Sequence, residues 1–173
     1  MKLKNFLIYI ISIVVVVGGL VWIARPGQND IADPTAAIVS TLTTPENQYD
    51  FGTISMANGK VSKIFTITNS SAEPMQIEKI YTSCMCTEAS LILGSPSANS
   101  GQTLRFGPFG MPGHGLVPKV NQALDAGESA EIEVVFDPNA HGPAGVGAIE
   151  RIVFVEEKGR QPLELKIKAM VTP

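Results

Sequence analysis

The chain has 173 residues, of which 45% are hydrophobic and 17% are charged, and its net charge is −3. Lys2, Lys4 and Arg25 are the only charged residues among the first 25, so the rest of the chain is distinctly acidic. This balance disfavours a nucleic-acid-binding protein, which would carry a basic face, and the length fits one ordinary domain with an appendage.

The first predicted element is a membrane-spanning helix over residues 6–24. This run contains no charged residue and approaches the length of about 20 residues that crosses a bilayer. Lys2 and Lys4 precede it, so the positive-inside bias predicts a cytoplasmic N-terminus and an extracytoplasmic remainder. A cleaved signal peptide is the alternative, but a cut after Ala24 would put Trp22 where a small residue is preferred. We therefore predict an uncleaved, single-pass anchor in residues 1–25 of a cell-membrane protein.

Residues 26–47 are predicted to form an extended linker that leaves the membrane. They are rich in Pro, Thr, Ala and Asp, contain few large apolar side chains and show no sustained periodicity. Such a composition is typical of a tether rather than of a packed element.

From residue 48 onward, the sequence alternates apolar and polar residues with the period of two that is typical of half-buried β-strands. The clearest strand covers residues 163–171, and turn-forming pairs such as Asn58-Gly59 and Gly159-Arg160 separate successive strands. The spacing predicts an all-β fold, an immunoglobulin-like antiparallel β-sandwich over residues 48–173. The seven predicted strands are residues 49–54, 61–68, 75–81, 87–93, 131–136, 149–156 and 163–171.

The segment 94–118 does not fit this strand pattern. It contains ten Gly or Pro residues, and a loop of this length inside a compact domain is usually functional or disordered. We interpret it as a Gly/Pro-rich insertion in the sandwich, either a site-forming loop or an insertion without a function of its own.

The sharpest chemical feature is the sequence Cys84-Met85-Cys86, which contains the only two cysteines of the chain. In an extended strand their Cα atoms would lie roughly 6.6 Å apart with parallel side chains, which suits a disulfide badly. A turn at Met85 would permit a strained, easily reduced disulfide. Two thiolates on one side would instead bind a soft metal ion such as Cu(I) or Zn(II). Inert, buried cysteines are the third alternative, and the residues leave all three open.

Two thiolates are an incomplete zinc site, so further ligands are needed. Met111 and His114 lie in the Gly-rich segment, and His141 lies farther along the chain. Thioether, imidazole and thiolate together suit copper better than magnesium or calcium, although a lone His in such a loop is commonly only solvated. The predicted metal set is Cys84, Cys86, Met111 and His114, with copper or zinc as the ion.

Enzyme motifs are absent from the sequence. There is no G-x-S-x-G elbow, P-loop, H-E-x-x-H motif or dinucleotide fingerprint. A nucleophile pairing of Cys84 or Cys86 with a histidine has no support from the spacing. We therefore expect no enzyme activity.

Several short motifs in order resemble a known bacterial family, the immunoglobulin-like domain of unknown function numbered fifteen-seventy-three, which is related to Hydin-like and PapD-like domains. The resemblance covers about residues 48–171 and implies a sandwich exported to the bacterial envelope, without a known catalytic activity. Its motifs are YDFGTI at 49–54, FTITN at 65–69, PMQI at 74–77, SCMCT at 83–87, AGE at 126–128 and VVFDP at 134–138.

The chain departs from the family pattern in two places. Met85 stands where the family usually has Gly, which removes easy access to positive φ and favours a strand-like cysteine pair over a tight turn. Residues 91–124 intervene where the family usually has a short connection, so the resemblance implies no role for the insertion.

These observations predict a membrane-anchored envelope protein that presents an Ig-like domain for protein binding or scaffolding outside the cytoplasm. The expected partners are the membrane, through the N-terminal helix, and an envelope protein, for which sandwich edges offer strand-pairing surfaces. The alternative is a copper- or zinc-binding or thiol-redox protein that uses the Cys-Met-Cys motif.

Overall fold

The computed structural model describes Val15 and residues 39–94, 103–114 and 119–173. Apart from Val15, the predicted anchor at 6–24 lies outside the described residues, as do most of the linker and residues 95–102 and 115–118 of the insertion. No helix in the described part of the chain is long and apolar enough to span a membrane.

The described residues form an all-β sandwich of two five-stranded sheets. One sheet has the strand order β1-β3-β8-β5-β6, and the other has the order β2-β10-β9-β4-β7. The strands are β1 (Leu42–Thr43), β2 (Gln48–Ser55), β3 (Val61–Asn69), β4 (Met75–Thr82), β5 (Thr87–Leu93), β6 (Leu104–Phe109), β7 (Lys119–Leu124), β8 (Ser129–Phe136), β9 (Gly147–Glu157) and β10 (Leu163–Thr172). Two short 3-10 turns, Met56–Asn58 and Gly142–Gly145, complete the described elements.

The period-two alternation places the core between the two sheets. Ile132, Val134 and Phe136 of β8 are buried, as are Leu165 and Ile167 of β10. These residues belong to one continuous apolar cluster with contributions from both sheets. Burial of these faces drives the sheets together, and the all-β sandwich predicted from the sequence is confirmed.

The prediction of about seven antiparallel strands is wrong in two respects: ten strands are present among the described residues, and one pair is parallel. β2 pairs with β10 in parallel, with Gln48 opposite Lys166 and Ser55 opposite Thr172. Parallel neighbours need a long connection, and here the rest of the sandwich supplies it. Local alternation carries no information on such a distant pairing.

The strand β6 lies inside the segment that the sequence marked as a Gly/Pro-rich insertion. It pairs with β5 through a register shift between Ala89 and Leu91. Gly107 adopts a φ of 116° beside this irregularity, and a Cβ there would lie 2.9 Å from the Ala89 carbonyl oxygen. Glycine at a bulge and proline on an edge strand are both tolerated. The Gly and Pro content of this segment therefore does not exclude a strand, and the prediction of a loop here is wrong for β6.

The sandwich also includes residues that the sequence placed in the linker. Leu42 and Thr43 form β1 beside β3, and Leu42 is only 3% exposed. The Glu157 carboxylate accepts hydrogen bonds from the Thr41 amide and hydroxyl, both at 2.8 Å. A buried carboxylate therefore holds the start of the sandwich in place.

Candidate functional site

The two cysteines lie on the tight turn that connects β4 to β5. The Thr87 amide donates to the Cys84 carbonyl across 3.1 Å, so Met85 and Cys86 are the central residues of a β-turn. Asn121 is the only non-glycine residue with positive φ in the part of the chain that the structure describes. The turn thus forms without a glycine at Met85, and the preference for a strand-like cysteine pair is wrong.

Neighbouring strands fix the backbone of this turn. Ser83 and Ile152 exchange two hydrogen bonds, from the Ser83 amide to the Ile152 carbonyl and from the Ile152 amide to the Ser83 hydroxyl, both at 2.9 Å. The Asp137 amide donates to the Cys86 carbonyl across 2.8 Å. The positions of the sulfur atoms are therefore set by β9 and by the end of β8, and not only by local turn geometry.

The sulfur atoms of Cys84 and Cys86 are 2.7 Å apart, and the Cys86 thiol donates to the Cys84 sulfur. Both cysteines are free. His141, next to the 3-10 turn Gly142–Gly145, places its Nε2 atom 3.1 Å from the Cys84 sulfur. The two sulfurs and an imidazole nitrogen all lie within 4.8 Å of one another, so two thiols and one imidazole converge at one point.

Arg151 on β9 contacts this cluster from its buried side. Its Nε–H donates to the Cys86 sulfur across 3.2 Å, and its Nη1 donates to the Glu150 carbonyl across 2.8 Å. Sequence reasoning missed this residue, although the alternation of β9 places Arg151 on the face that carries Val153 and Val155, which are fully buried. A charged residue on an apolar face needs a partner. The position of Arg151 in the alternation of β9 was therefore the sequence feature that could have identified it.

The two thiols differ in exposure and in acidity. Cys86 is buried and Cys84 is half-buried, while His141 is exposed. Burial raises the pKa of the Cys84 thiol, but hydrogen bonds from Cys86 and His141 and the charge of Arg151 outweigh it and lower that pKa to about 7. Burial and the contact with Cys84 raise the pKa of Cys86. Cys84 is consequently the thiol that ionises first, and it lies on the solvent side.

The site therefore keeps the predicted cysteines but adds a histidine that was only a distant candidate. His114 is outside the three-residue cluster and lies in the turn after β6, where its amide donates to the Met111 carbonyl across 3.3 Å. The Thr82 amide donates to the Gly110 carbonyl across 3.2 Å, so this turn runs beside the end of β4. Participation of Met111 and His114 in a metal site remains a prediction.

The three atoms Cys84 Sγ, Cys86 Sγ and His141 Nε2 could hold a metal ion. Thiolate and imidazole are the ligands that soft and borderline ions such as Cu(I) and Zn(II) prefer. Because the backbone of the turn is hydrogen-bonded to β9 and to the residue that follows β8, the two sulfur donors are organised before an ion arrives.

Comparison with protein families confirms the resemblance noted in the sequence. Residues 42–103 match the family model described as "Protein of unknown function (DUF1573)". The match includes β1 to β5 and both cysteines, whereas His141 and Arg151 lie outside it. Among curated proteins, none matches this chain.

Comparison with solved structures finds a similar fold at low sequence identity in a bacterial protein. A protein of unknown function from Porphyromonas gingivalis W83 has a TM-score of 0.52 at 14% identity, over 82% of this chain and 51% of that one. This chain thus spans about half the length of that protein, and the likeness shows the fold alone. The ASH / PapD-like domain of human CEP192 gives a TM-score of 0.42 at 11% identity, over 78% of this chain and 87% of that one.

Proposed function

We propose that the chain binds a Cu(I) ion through Cys84, Cys86 and His141. The observation that carries this proposal is the convergence of three soft or borderline donor atoms within 4.8 Å of one another. They come from two connections that are distant in sequence, β4 to β5 and β8 to β9. Thiolate ligands favour Cu(I) among the ions available to such a set, and zinc would need a fourth ligand to complete its tetrahedron.

The proposed setting of this site is the cell envelope, with residues 6–24 as an anchor and the sandwich outside the cytoplasm. The support is the uncharged apolar run with Lys2 and Lys4 before it. In this setting the sandwich is also available to a partner protein. β1 covers only Thr68 and Asn69 of β3, so within the described residues most of the outer edge of β3 lacks a strand partner and could accept one.

The metal proposal is tested by anaerobic Cu(I) titration of the full chain in mild detergent, against a chromogenic chelator. We expect one Cu(I) per chain. Loss of an outer-shell partner typically weakens metal binding by about 10- to 100-fold. Cys84→Ser and Cys86→Ser each remove a direct ligand, so each should weaken binding by at least about 100-fold. His141→Ala should weaken binding, and His114→Ala is the matched control that should leave it unchanged. Stoichiometric binding that survives both cysteine substitutions would refute the proposal.

The envelope setting needs a separate experiment. Protease added to spheroplasts, in which the outer barriers are removed and the cytoplasmic membrane is intact, should digest the sandwich if it lies outside that membrane, and protection until the spheroplasts are lysed would contradict this placement.

A second candidate function is thiol–disulfide exchange by the same cysteines. It is favoured by the 2.7 Å separation of the two sulfur atoms, with one thiol accessible and the other buried behind it. The measurement is the number of free thiols after equilibration of the metal-free chain with glutathione buffers. Conversion of two thiols into one intramolecular disulfide supports this function, and two thiols at every ratio of the buffer exclude it.

A further inference from the structure

The guanidinium group of Arg151 is directed at the sulfur atoms instead of at a carboxylate. Seven ion pairs occur among the described residues, and Arg151 takes part in none of them. Its hydrogen-bond acceptors are the Cys86 sulfur and the Glu150 carbonyl. A partly buried cation without a carboxylate partner favours negative charge beside it, and the Cys86 sulfur that it contacts would carry such a charge when it binds a metal ion as a thiolate.

We propose that Arg151 determines the charge of the ion that the site accepts, and that it favours a monovalent soft cation over a divalent one. This inference rests on the proposed Cu(I) function and adds a selectivity residue to it. Two thiolates, one guanidinium and one monovalent ion together carry no net charge. With a divalent ion the same group of charges has an excess of one positive charge at a site where one of the ligands is buried.

The electrostatic argument has a definite direction. Arg151 repels every cation that binds to the two sulfurs, and this repulsion is proportional to the charge of the ion. A divalent ion is therefore disfavoured about twice as strongly as a monovalent one. For charges about 6 Å apart in a medium of effective dielectric constant about 20, the difference corresponds to roughly 100-fold in the ratio of the two dissociation constants.

Other charged side chains near the site make no hydrogen bond to the ligand atoms among the described residues. Lys60, Glu88 and Asp137 line a small cavity of about 60 Å³ next to Cys86, but none of them hydrogen-bonds to either sulfur in the described part of the chain. The Asp137 carboxylate instead accepts from the Asn139 amide across 2.8 Å. Among the charged side chains described, Arg151 is thus the one that donates a hydrogen bond to a proposed metal ligand, the Cys86 sulfur.

The test is a comparison of Cu(I) and Zn(II) affinities for the full chain and for variants at position 151. Arg151→Gln and Arg151→Met remove the charge, and each should lower the ratio of Zn(II) to Cu(I) dissociation constants by about 10- to 100-fold. Arg151→Lys retains the charge and should keep most of the native ratio. Arg105→Gln is the matched control, because it removes a positive charge that contacts Glu133 and Ser90 but no sulfur.

A purely positional role for Arg151 predicts a different result. Loss of the hydrogen bond to Cys86 would then weaken both metals to the same extent in all three variants, and an unchanged ratio would overturn the inference. Failure of the unsubstituted chain to bind Cu(I) would instead refute the proposed function itself. Circular dichroism of each variant separates loss of selectivity from loss of the fold, and the use of two neutral variants, one polar and one apolar, keeps the test decisive if one of them unfolds.

Discussion

The sulfur of Cys84 lies 3.1 Å from Nε2 of His141, which connects the turn between β4 and β5 to the connection between β8 and β9. The two residues are 57 positions apart in the sequence, so only the folded sandwich brings them together. This contact distinguishes the two histidines of the chain, because His114 has no place in the cluster of donor atoms. A metal site that exists only in the folded state couples ion binding to folding.

The coupling predicts that Cu(I) stabilises the sandwich. An ion that binds only the folded state adds about 2.7 kcal/mol to the free energy of unfolding when its free concentration is 100 times its Kd. We expect Cu(I) to raise the urea midpoint of the reduced full chain in detergent, and a chelator to restore the original value. His141→Ala should show a smaller increase and His114→Ala the full one. An equal midpoint with and without Cu(I) would contradict binding to the folded state.

The thiol chemistry of the metal-free protein predicts a specific dependence on pH. The pKa of Cys84 is lowered to about 7, against about 8.5 for an unperturbed cysteine. Because the thiolate is the reactive form, alkylation of Cys84 by iodoacetamide should increase through a midpoint near pH 7. Cys86 should react only at higher pH, since its pKa is raised and it is buried.

Peptide mapping by mass spectrometry assigns each alkylation rate to one cysteine. Arg151→Gln should move the Cys84 midpoint to higher pH, because the positive charge that stabilises the thiolate is lost. Equal rates for the two cysteines at pH 7 would be inconsistent with the described geometry.

The bulge in the pairing of β5 and β6 makes a prediction for two neighbouring glycines. Gly107 has a φ of 116°, and a Cβ there would lie 2.9 Å from a backbone oxygen. Gly107→Ala should therefore lower the free energy of unfolding by about 1–3 kcal/mol, the range for strained backbone conformations. Gly110→Ala is the matched control, because a Cβ at that position meets no atom within 4 Å. Urea denaturation measures both, and equal midpoints would rule out the bulge as described.

The predictable part of this fold is its local alternation. Each of the seven strands expected from the sequence is present with small differences at its ends. In a strand such as β10, apolar residues alternate with polar ones, and this alternation identifies the buried face. Three strands were missed: β6 because Gly107 and Pro108 interrupt its pattern, β1 because two residues show no period, and β7 because only Val120 and Leu124 of its six residues are buried. The parallel pairing of β2 with β10 joins strands from the beginning and the end of the domain sequence, so no local pattern predicts it.

The site was predictable to a similar extent. Cys84 and Cys86 are adjacent enough in the sequence to be recognised as a pair, whereas His141 and Arg151 reach them through tertiary packing. No spacing rule links a Cys-x-Cys turn to a histidine in a distant connection. Of these two residues, only Arg151 has a feature that is visible in the sequence, because it is a charged residue on the apolar face of β9.

Glu157 provides the last prediction, which concerns the start of the sandwich. This residue is only 4% exposed, and its carboxylate accepts from Ser40, from the amide and hydroxyl of Thr41, and from Arg160. Glu157→Gln removes the charge and turns one acceptor into a donor that faces other donors. It should lower the free energy of unfolding by roughly 1.5–3 kcal/mol, the value of hydrogen bonds to a charged group.

The matched control is Glu156→Gln, which removes a carboxylate that is partly exposed and paired with Lys79. Its cost should be below about 1 kcal/mol, as for other exposed ion pairs. Amide hydrogen exchange localises the effect, because the Thr41 amide donates directly to Glu157 and should lose its protection in Glu157→Gln only. Unchanged protection of Thr41 in that variant would mean that other contacts, such as the burial of Leu42, hold this segment against the sandwich.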